Sequence, residues 1–203
     1  MIRNIVFDMG KVLIDFNPDS FMDHAGITDP ADRKIVRQEL FSSIEWAQMD
    51  MGIATEDSIE SAVLSRVPEH LREGTRHLLH NWYIPRRMIP GMEEMVRRLK
   101  EAGYGIYLLS NASVNQPVYW NQLPVSRYFD GVMISAFVKT VKPCPEIYRL
   151  FTGKFGLKEE ECLFVDDAPI NVAGAVACGW QGIVFYGDAD QLETRMKDMG
   201  IRF

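Results

Sequence analysis

The sequence has few cysteines, no excess of positive charge and no long apolar run. Its 203 residues include 3 cysteines without C-x-x-C spacing, which argues against a disulfide framework or a cysteine-based zinc site. Lys and Arg total 22 against 28 Asp and Glu, and the net charge of −6 argues against a nucleic-acid partner. No segment approaches the roughly 18 apolar residues of a membrane span, and no cleavable apolar segment follows Met1. We therefore expect a cytoplasmic protein whose partners include neither a membrane nor nucleic acid.

Short apolar runs rich in β-formers alternate with segments of helical periodicity along most of the chain. This alternation predicts an α/β fold with a doubly wound parallel sheet. The predicted strands are Ile5–Phe7, Tyr104–Leu109, Val132–Ser135, Cys162–Val165 and Gly182–Tyr186. Residues 18–87 break the pattern, because they are charged, helical in periodicity and without a convincing strand. We therefore predict a core of residues 1–17 and 88–203, with a helical cap inserted at residues 18–87.

The predicted cap contains aromatic and methionine residues that could contact a substrate. These are Trp46, Met49, Met51, Trp82 and Tyr83. Burial in a hydrophobic core is the more common role of such residues at helical spacing, so the sequence leaves their orientation open.

Polar residues follow the predicted strands, at the edge where open α/β sheets bind ligands. Asp8 directly follows the first strand, and Ser110 directly follows the second. Lys142 lies in the loop after the third strand, from which it can reach the same edge. The candidate site residues are Asp8, Ser110, Asn111, Lys142, Asp166 and Asp167. A nucleophile, a hydroxyl, a cation and a carboxylate pair are therefore expected to converge.

Four short motifs, in this order along the chain, resemble those of haloacid dehalogenase-like hydrolases. They are VFDMG at residues 6–10, LLSN at 108–111, KP at 142–143 and FVDDAPIN at 164–171. The tract MGIATED at residues 51–57 also resembles the cap of bacterial sugar-phosphate phosphatases of the α-D-glucose-1-phosphate type. The resemblance implies a Rossmann-like core and a mobile cap that closes over a small phosphorylated substrate.

By this resemblance the chain is a phosphatase in which Asp8 takes up the phosphoryl group as an aspartyl-phosphate. Such an intermediate divides the transfer into two steps, while nearby positive charge neutralises the phosphoryl oxygens. Lys142 and Mg²⁺ are expected to supply that charge. Ser110, with the Asn111 amide or backbone N–H, is expected to bind the phosphoryl oxygens. The expected Mg²⁺ ligands are Asp8, the Gly10 carbonyl and Asp167, with Asp166 nearby.

Position 10 departs from the pattern of typical phosphatases in this family, which carry a second Asp there as general acid and base. Gly10 keeps the backbone carbonyl for a metal but has no side chain to transfer a proton. Loss of a general acid usually costs about 10²–10⁴ in rate, most where the leaving oxygen is strongly basic. We therefore expect a preference for esters whose leaving group needs little protonation, such as anomeric sugar phosphates or acyl phosphates. Asp15 is a candidate substitute donor.

Two other functions fit parts of the sequence. A haloacid dehalogenase also uses an Asp nucleophile and needs no acid at position 10. Halide displacement, however, has no use for a divalent cation, and hence none for Asp166 and Asp167. A catalytically inactive phosphometabolite-binding protein is the other alternative. The nucleophile, the lysine and the acidic pair argue against it, because folding alone requires none of them.

Overall fold

The computed structural model describes residues 1–84 and 87–203, and a five-stranded parallel sheet lies at its centre. The strands are β1 (Asn4–Phe7), β2 (Gly105–Ser110), β3 (Gly131–Ile134), β4 (Cys162–Asp166) and β5 (Gln181–Val184). Their spatial order is β3-β2-β1-β4-β5, so the first strand of the sequence is the middle one. Ligands bind at such a switch point in doubly wound sheets. The predicted α/β fold is confirmed.

The register of β1 against its two neighbours brings three carboxyl ends to one edge of the sheet. Phe7 pairs with Leu108 of β2 and with Val165 of β4, so the residues that follow lie side by side. Ile5 and Phe7 are buried in one hydrophobic cluster, and Val6 is buried in another. Successive side chains of a strand point to opposite faces, so both faces of β1 are covered.

Between β1 and β2 the chain forms a group of helices that we call the helical segment, residues 18–81. Its helices are α1 (Pro18–His24), α2 (Pro30–Val36), α3 (Ile44–Asp50), α4 (Glu56–Arg66) and α5 (Arg72–Asn81), with a π-helical turn (Arg37–Phe41) after α2 and a 3₁₀ turn (Glu69–Leu71) before α5. Side-chain oxygens cap α1 to α4 at Asn17, Asp29, Ser43 and Thr55. The predicted cap, residues 18–87, also includes Pro85 and Arg86, which lie outside the described residues.

The helical segment has a hydrophobic cluster of its own. Phe21, Val36, Leu40, Val63 and Leu78 are buried in it. A segment that buries its own apolar side chains suits an insertion between two strands of a sheet. We propose that residues 18–87 act as a mobile cap.

The remaining helices cover the sheet and connect its strands. They are α6 (Met92–Glu101), α7 (Gln116–Trp120), α8 (Ser135–Val138), α9 (Pro145–Phe155), α10 (Pro169–Ala177) and α11 (Ala189–Asp198), with 3₁₀ turns at Pro124–Tyr128 and Glu159–Glu161. α6 buries Met92, Met95, Val96 and Leu99 as one helical stripe. It ends before Gly103, whose φ of +91° suits a helix stop. Within the described residues, no helix combines the length and apolar character needed to cross a membrane.

Candidate active site

A buried lysine joins two carboxylates at the carboxyl edge of the sheet. Lys142 is 4% exposed, and its ammonium donates to Asp8 Oδ1 and Asp166 Oδ2, each at 2.7 Å. It also donates to the carbonyl of Leu109 at 3.0 Å. Asp8 follows β1 and Asp166 ends β4, so two neighbouring strands position the carboxylates that share this ammonium. Buried charges are tolerated when they are paired and hydrogen-bonded in this way.

The proximity of these charges and their burial shift the pKa values of the group. Burial raises the pKa of Asp8 to about 7, although the Lys142 ammonium offsets part of that rise. Burial alone would lower the pKa of Lys142, but the charges of Asp8 and Asp166 outweigh it, so the pKa of Lys142 is raised. The lysine therefore keeps its positive charge at neutral pH, directly beside the residue expected to be the nucleophile.

The two adjacent acids at the end of β4 have different surroundings. Asp166 is fully buried, and it accepts hydrogen bonds from Lys142, from Asn171 Nδ2 at 3.1 and 3.2 Å, and from a backbone N–H of the next turn at 2.8 Å. Asp167 lines the adjoining cavity, and its carboxylate lies 3.8 Å from Lys11 Nζ. Burial and the Asp166 charge raise the pKa of Asp167. Asp166 is thus placed to orient Lys142, whereas Asp167 is open to a ligand.

The acidic side chains at this edge are close enough to share one cation. Carboxylate oxygens of Asp8, Asp166 and Asp167 all lie within 4.8 Å of one another. Gly10 lines the same cavity and offers its backbone carbonyl. Carboxylate and carbonyl oxygens are the ligands that Mg²⁺ prefers, together with several waters. The residues that sequence analysis proposed as metal ligands therefore lie together, and their chemistry suits a magnesium ion.

Ser110 and Asn111, the two residues proposed to bind phosphoryl oxygens, differ in their contacts. Ser110 ends β2, is 2% exposed and lines the cavity. The Asn111 side chain instead binds the backbone of Lys142: Nδ2 donates to its carbonyl at 3.0 Å, and Oδ1 accepts from its N–H at 2.8 Å. Both polar atoms of this amide are engaged. Of the two options that the sequence left open for Asn111, the backbone N–H is therefore the better phosphoryl ligand.

The cavity beside this group has an aromatic wall. Its large apolar lining residues include Phe16, Trp46, Met49, Trp82 and Tyr119. Of the residues whose orientation the sequence left open, Trp46, Met49 and Trp82 therefore line the cavity. Met51 is exposed, and Tyr83 stacks on another aromatic ring, with 5.0 Å between the ring centroids.

Two carboxyl groups of the helical segment also line the cavity, and sequence analysis did not single them out. They are Asp50 at the end of α3 and Glu56 at the start of α4. Glu56 is buried and accepts a hydrogen bond from Ser113 Oγ at 2.7 Å. Burial raises the pKa of Asp50 to about 7, with an offset from Lys142 and a further rise from Asp8. Asp50 directly precedes the tract that resembles sugar-phosphate phosphatases, and this was the available signal.

Asp15, the substitute proton donor suggested by the sequence, lies elsewhere. Its backbone N–H donates to the carbonyl of Arg87 at 2.8 Å. Among residues 1–84 and 87–203, the cavity lining includes its neighbour Phe16 but not Asp15. The geometry therefore does not support Asp15 as a donor to a bound substrate.

Comparison with known proteins assigns the family to which this fold and site correspond. The sequence pattern of the haloacid dehalogenase-like hydrolases matches residues 2–179. Since that match extends over most of the chain, the protein belongs to the haloacid dehalogenase-like hydrolase family.

A relative and two solved structures share 20–26% of their aligned residues with this chain. Flavin mononucleotide hydrolase 1 of Arabidopsis thaliana is 26% identical over 156 residues, which is 77% of this chain and 62% of that protein, so the chain spans less than two thirds of its length. A haloacid dehalogenase family enzyme of Bacteroides thetaiotaomicron, solved in complex with magnesium and inorganic phosphate, has a TM-score of 0.72 at 22% identity and covers 95% of this chain and 99% of its own. L-2-haloacid dehalogenase of Xanthobacter autotrophicus has a TM-score of 0.68 at 20% identity and covers 98% and 84%. At these identities the solved structures show a shared fold.

Proposed function

We propose that this protein is a magnesium-dependent phosphatase that hydrolyses a small phosphorylated metabolite, most suitably a sugar phosphate. The observation that carries the proposal is the group formed by Asp8, Lys142 and Asp167 at one edge of the sheet. In this group a carboxylate that can act as nucleophile, a buried ammonium and a second carboxylate that could hold a metal lie close together. The relative named as a flavin mononucleotide hydrolase and the neighbour solved with magnesium and phosphate support the same class of reaction.

The proposed reaction begins when a carboxylate oxygen of Asp8 attacks the phosphorus atom. The bond between phosphorus and the ester oxygen breaks, and its electron pair stays with that oxygen, which takes up a proton and leaves as an alcohol. Water then attacks the phosphorus atom of the aspartyl-phosphate, which releases inorganic phosphate and restores Asp8. Covalent catalysis of this kind replaces one difficult displacement by two easier steps.

Fixed positive charge and hydrogen-bond donors are the main requirement of this reaction, because the transferring group carries negative charge on three oxygens. Lys142 supplies the charge, and its position is fixed by Asp166 on its side chain and by Asn111 on its backbone. The Ser110 hydroxyl, at the end of β2, lines the cavity and is the proposed hydrogen-bond donor to the phosphoryl group. Donors that are already in place need no rearrangement during the reaction.

Magnesium is the metal that suits the available oxygens. Asp8, Asp167 and the Gly10 carbonyl would hold it, while Asp166 is engaged with Lys142. When bound, magnesium supplies positive charge that offsets the charge on the phosphoryl oxygens. Burial and the neighbouring Asp166 charge raise the pKa of Asp167, and a bound cation would offset both effects.

The lining of the cavity supports a sugar as the leaving group. Aromatic rings such as those of Trp46 and Trp82 pack against the apolar faces of a sugar ring, and the carboxyl groups of Asp50 and Glu56 can accept hydrogen bonds from its hydroxyls. An anomeric oxygen also needs less protonation than an ordinary alkoxide, which suits the absence of a side chain at Gly10.

A haloacid dehalogenase is the second candidate, because the fold is shared with L-2-haloacid dehalogenase. Asp8 and Gly10 would both suit that reaction. A haloacid, however, carries its own carboxylate, and the cavity presents Asp167 to it close to Asp8. Like charges placed together disfavour binding. Asp8 and Asp167 suit a reaction in which a divalent cation accompanies the substrate.

Phosphate release tests the proposal directly. It is measured from sugar phosphates, acyl phosphates and p-nitrophenyl phosphate, with and without Mg²⁺, and halide release from 2-haloacids is measured in parallel. We expect Mg²⁺-dependent turnover that falls by at least about 10³-fold in Asp8→Asn. Asp57→Asn, at a side chain that is 95% exposed, is the control that keeps wild-type turnover. Halide release without phosphate release would favour the dehalogenase, and phosphate binding without any turnover would favour an inactive binding protein.

A further inference from the structure

The proposed reaction lacks a proton donor at its usual place. Gly10 has no side chain, and yet the ester oxygen must take up a proton when it leaves as an alcohol. Space is not the reason for the glycine, because a Cβ at Gly10 would make only ordinary contact with Phe16, at 3.5 Å from its Cβ. The donor must therefore come from another group that lines the cavity.

Few titratable groups of the described residues line this cavity. They are Asp8, Lys11, Asp50, Glu56, Tyr119, Lys142 and Asp167. Asp8, Lys142 and Asp167 already belong to the phosphoryl and metal positions, and Lys11 lies beside Asp167. Burial raises the pKa of Tyr119 far above its ordinary value, which makes it a poor donor at neutral pH. The acids of the helical segment, Asp50 and Glu56, therefore remain as candidate proton donors.

Asp50 and Glu56 differ in what they contact. Glu56 accepts a hydrogen bond from the Ser113 hydroxyl at 2.7 Å, so one of its oxygens is engaged with the protein. Within residues 1–84 and 87–203, no side chain or backbone group forms a hydrogen bond or ion pair with the carboxyl group of Asp50. Burial without a partner favours the protonated form of a carboxyl group. Asp50 is therefore the acid that can hold a proton and give it to a ligand.

The backbone around Asp50 is fastened to the core, which fixes the position of this carboxyl group. Ser135 Oγ, at the start of α8, donates to the carbonyl of Asp50 at 2.5 Å. Gly52 packs so closely that a Cβ at this position would overlap the carbonyl oxygen of Ala136. The Lys139 ammonium donates to the carbonyl of Gly52. A general acid must be held at a defined place to act on a leaving oxygen, and these contacts provide that.

We propose that Asp50 is the proton donor that replaces the missing acid at position 10. This inference rests on the proposed phosphatase function. As the bond between phosphorus and the ester oxygen breaks, the protonated carboxyl group of Asp50 gives its proton to that oxygen, which leaves as an alcohol. In the second step the Asp50 carboxylate takes a proton from water while the water oxygen attacks the phosphorus atom of the aspartyl-phosphate. The bond between phosphorus and the Asp8 oxygen breaks, its electron pair stays with the Asp8 carboxylate, and inorganic phosphate leaves. Asp50 ends protonated again, ready for the next cycle.

The ionisation of Asp50 suits this role. Burial raises its pKa to about 7, the Lys142 ammonium offsets part of the rise, and the Asp8 charge adds to it. A group that both gives and takes a proton works best when its pKa lies near the working pH. A carboxyl group with an ordinary pKa would be almost fully ionised at pH 7 and could rarely donate.

The test compares two substrates that differ in their need for a proton. An alkyl phosphate, such as a hexose 6-phosphate, releases a strongly basic alkoxide, whereas p-nitrophenyl phosphate releases a weakly basic phenolate. We expect Asp50→Asn to lower kcat/KM by about 10²–10³-fold on the alkyl phosphate and by less than about 10-fold on the aryl phosphate. Asp50→Ser is measured beside it, so that misfolding of one variant does not decide the result. Thermal unfolding verifies that each variant is folded.

Two matched variants and one rescue complete the experiment. Glu56→Gln removes the other acid of the same wall and should lower turnover of both substrates by similar factors. Asp15→Asn, outside the cavity, should change neither. Gly10→Asp in the Asp50→Asn background should restore alkyl phosphate turnover, because it returns a carboxyl group to position 10.

Equal losses on both substrates in the Asp50 variants would overturn the proposal, because a purely positional role affects both alike. A dependence on the leaving group that appears in Glu56→Gln instead would assign the role to Glu56. Failure of the wild-type protein to hydrolyse these two substrates and every sugar phosphate and acyl phosphate of the phosphate-release test would refute the proposed phosphatase function itself, and that result needs no variant.

Discussion

The two walls of the cavity treat carboxyl groups in opposite ways. On the sheet side, Asp8 and Asp166 share the Lys142 ammonium, and Asp166 accepts further hydrogen bonds. On the side of the helical segment, Glu56 meets a neutral hydroxyl, and Asp50 has no partner among the described residues. The sheet wall holds its carboxyl groups against a fixed ammonium, and phosphoryl transfer requires such fixed positive charge. The helical wall leaves the Asp50 carboxyl group free of hydrogen bonds from the described residues, so that it can exchange a proton with a ligand.

The largest effect should follow from removal of the cation on the sheet wall. Lys142→Met leaves Asp8 and Asp166 buried without compensation, so we expect a loss of about 3–5 kcal/mol in the free energy of unfolding. Turnover of p-nitrophenyl phosphate should fall by about 10³-fold or more, because the phosphoryl charge loses its fixed partner. Urea unfolding and steady-state kinetics measure the two effects. Lys34→Met, at an exposed lysine of α2, is the control. A stability close to that of wild type would contradict the charge pairing described for this wall.

A second test separates the two acids at the end of β4. Asp167→Asn should weaken Mg²⁺ binding by at least about 10-fold, because Asp167 is the acid open to a ligand. Asp166→Asn should lower the free energy of unfolding instead, because Lys142 loses a hydrogen-bonded partner. Calorimetric titration with Mg²⁺ and urea unfolding are made on both variants. Equal effects of the two substitutions on Mg²⁺ binding would show that both acids are ligands.

On the helical wall, replacement of the Asp50 carboxyl group should stabilise the protein, whereas the substitutions of Lys142 and Asp166 on the sheet wall should destabilise it. The folded-state pKa of Asp50 is raised from 3.8 to about 7, so the folded protein pays to ionise this group as the pH rises. The cost is absent below about pH 4 and complete above about pH 7. Asp50→Asn should therefore stabilise the protein by about 1–3 kcal/mol at pH 8 and by less at pH 5. Urea unfolding at the two pH values measures this, and a destabilised variant at pH 8 would indicate an ion pair for Asp50.

The smallest effect should come from the contact that joins the two walls. Ser135→Ala removes the hydrogen bond to the Asp50 carbonyl and the one that Ser135 Oγ accepts from the Ala112 N–H. It should cost about 1–2 kcal/mol of unfolding free energy, because a part-buried carbonyl loses its donor and a buried N–H loses its acceptor. Ser65→Ala removes an exposed hydroxyl whose hydrogen bond stays within α4, and should cost less than about 0.5 kcal/mol. Thermal and urea unfolding compare the pair. Equal costs would show that the contact between the walls contributes little.

The sheet wall could be predicted from the sequence because topology alone brings its residues together. Parallel strands end at one edge, so Asp8, Ser110 and Asp166 had to be neighbours once their strands were recognised. The bounds of the predicted strands differ from those of the structure by at most two residues. The engaged amide of Asn111 could not be foreseen, because its two hydrogen bonds to Lys142 depend on the path of a loop.

The helical wall was less accessible to sequence analysis, because the direction of a side chain there depends on how short helices pack. Trp46 and Trp82 were candidates, but their spacing equally fitted a hydrophobic core. Asp50 and Glu56 stand at helix ends, where acidic residues usually serve as caps or surface charges. What distinguishes them is burial beside a cavity, and this is a property of the tertiary fold.

The close packing of Gly52 on Ala136 also has a consequence for protein engineering. If the helical segment sets substrate preference, as proposed, exchanging it for that of a relative would be a way to change the substrate. In this chain the turn at residues 50–52 fits one particular backbone shape at residues 135–139, and a side chain at position 52 would not fit. A transplanted segment would therefore dock correctly only if both stretches were transferred together, so the exchangeable unit is discontinuous in sequence.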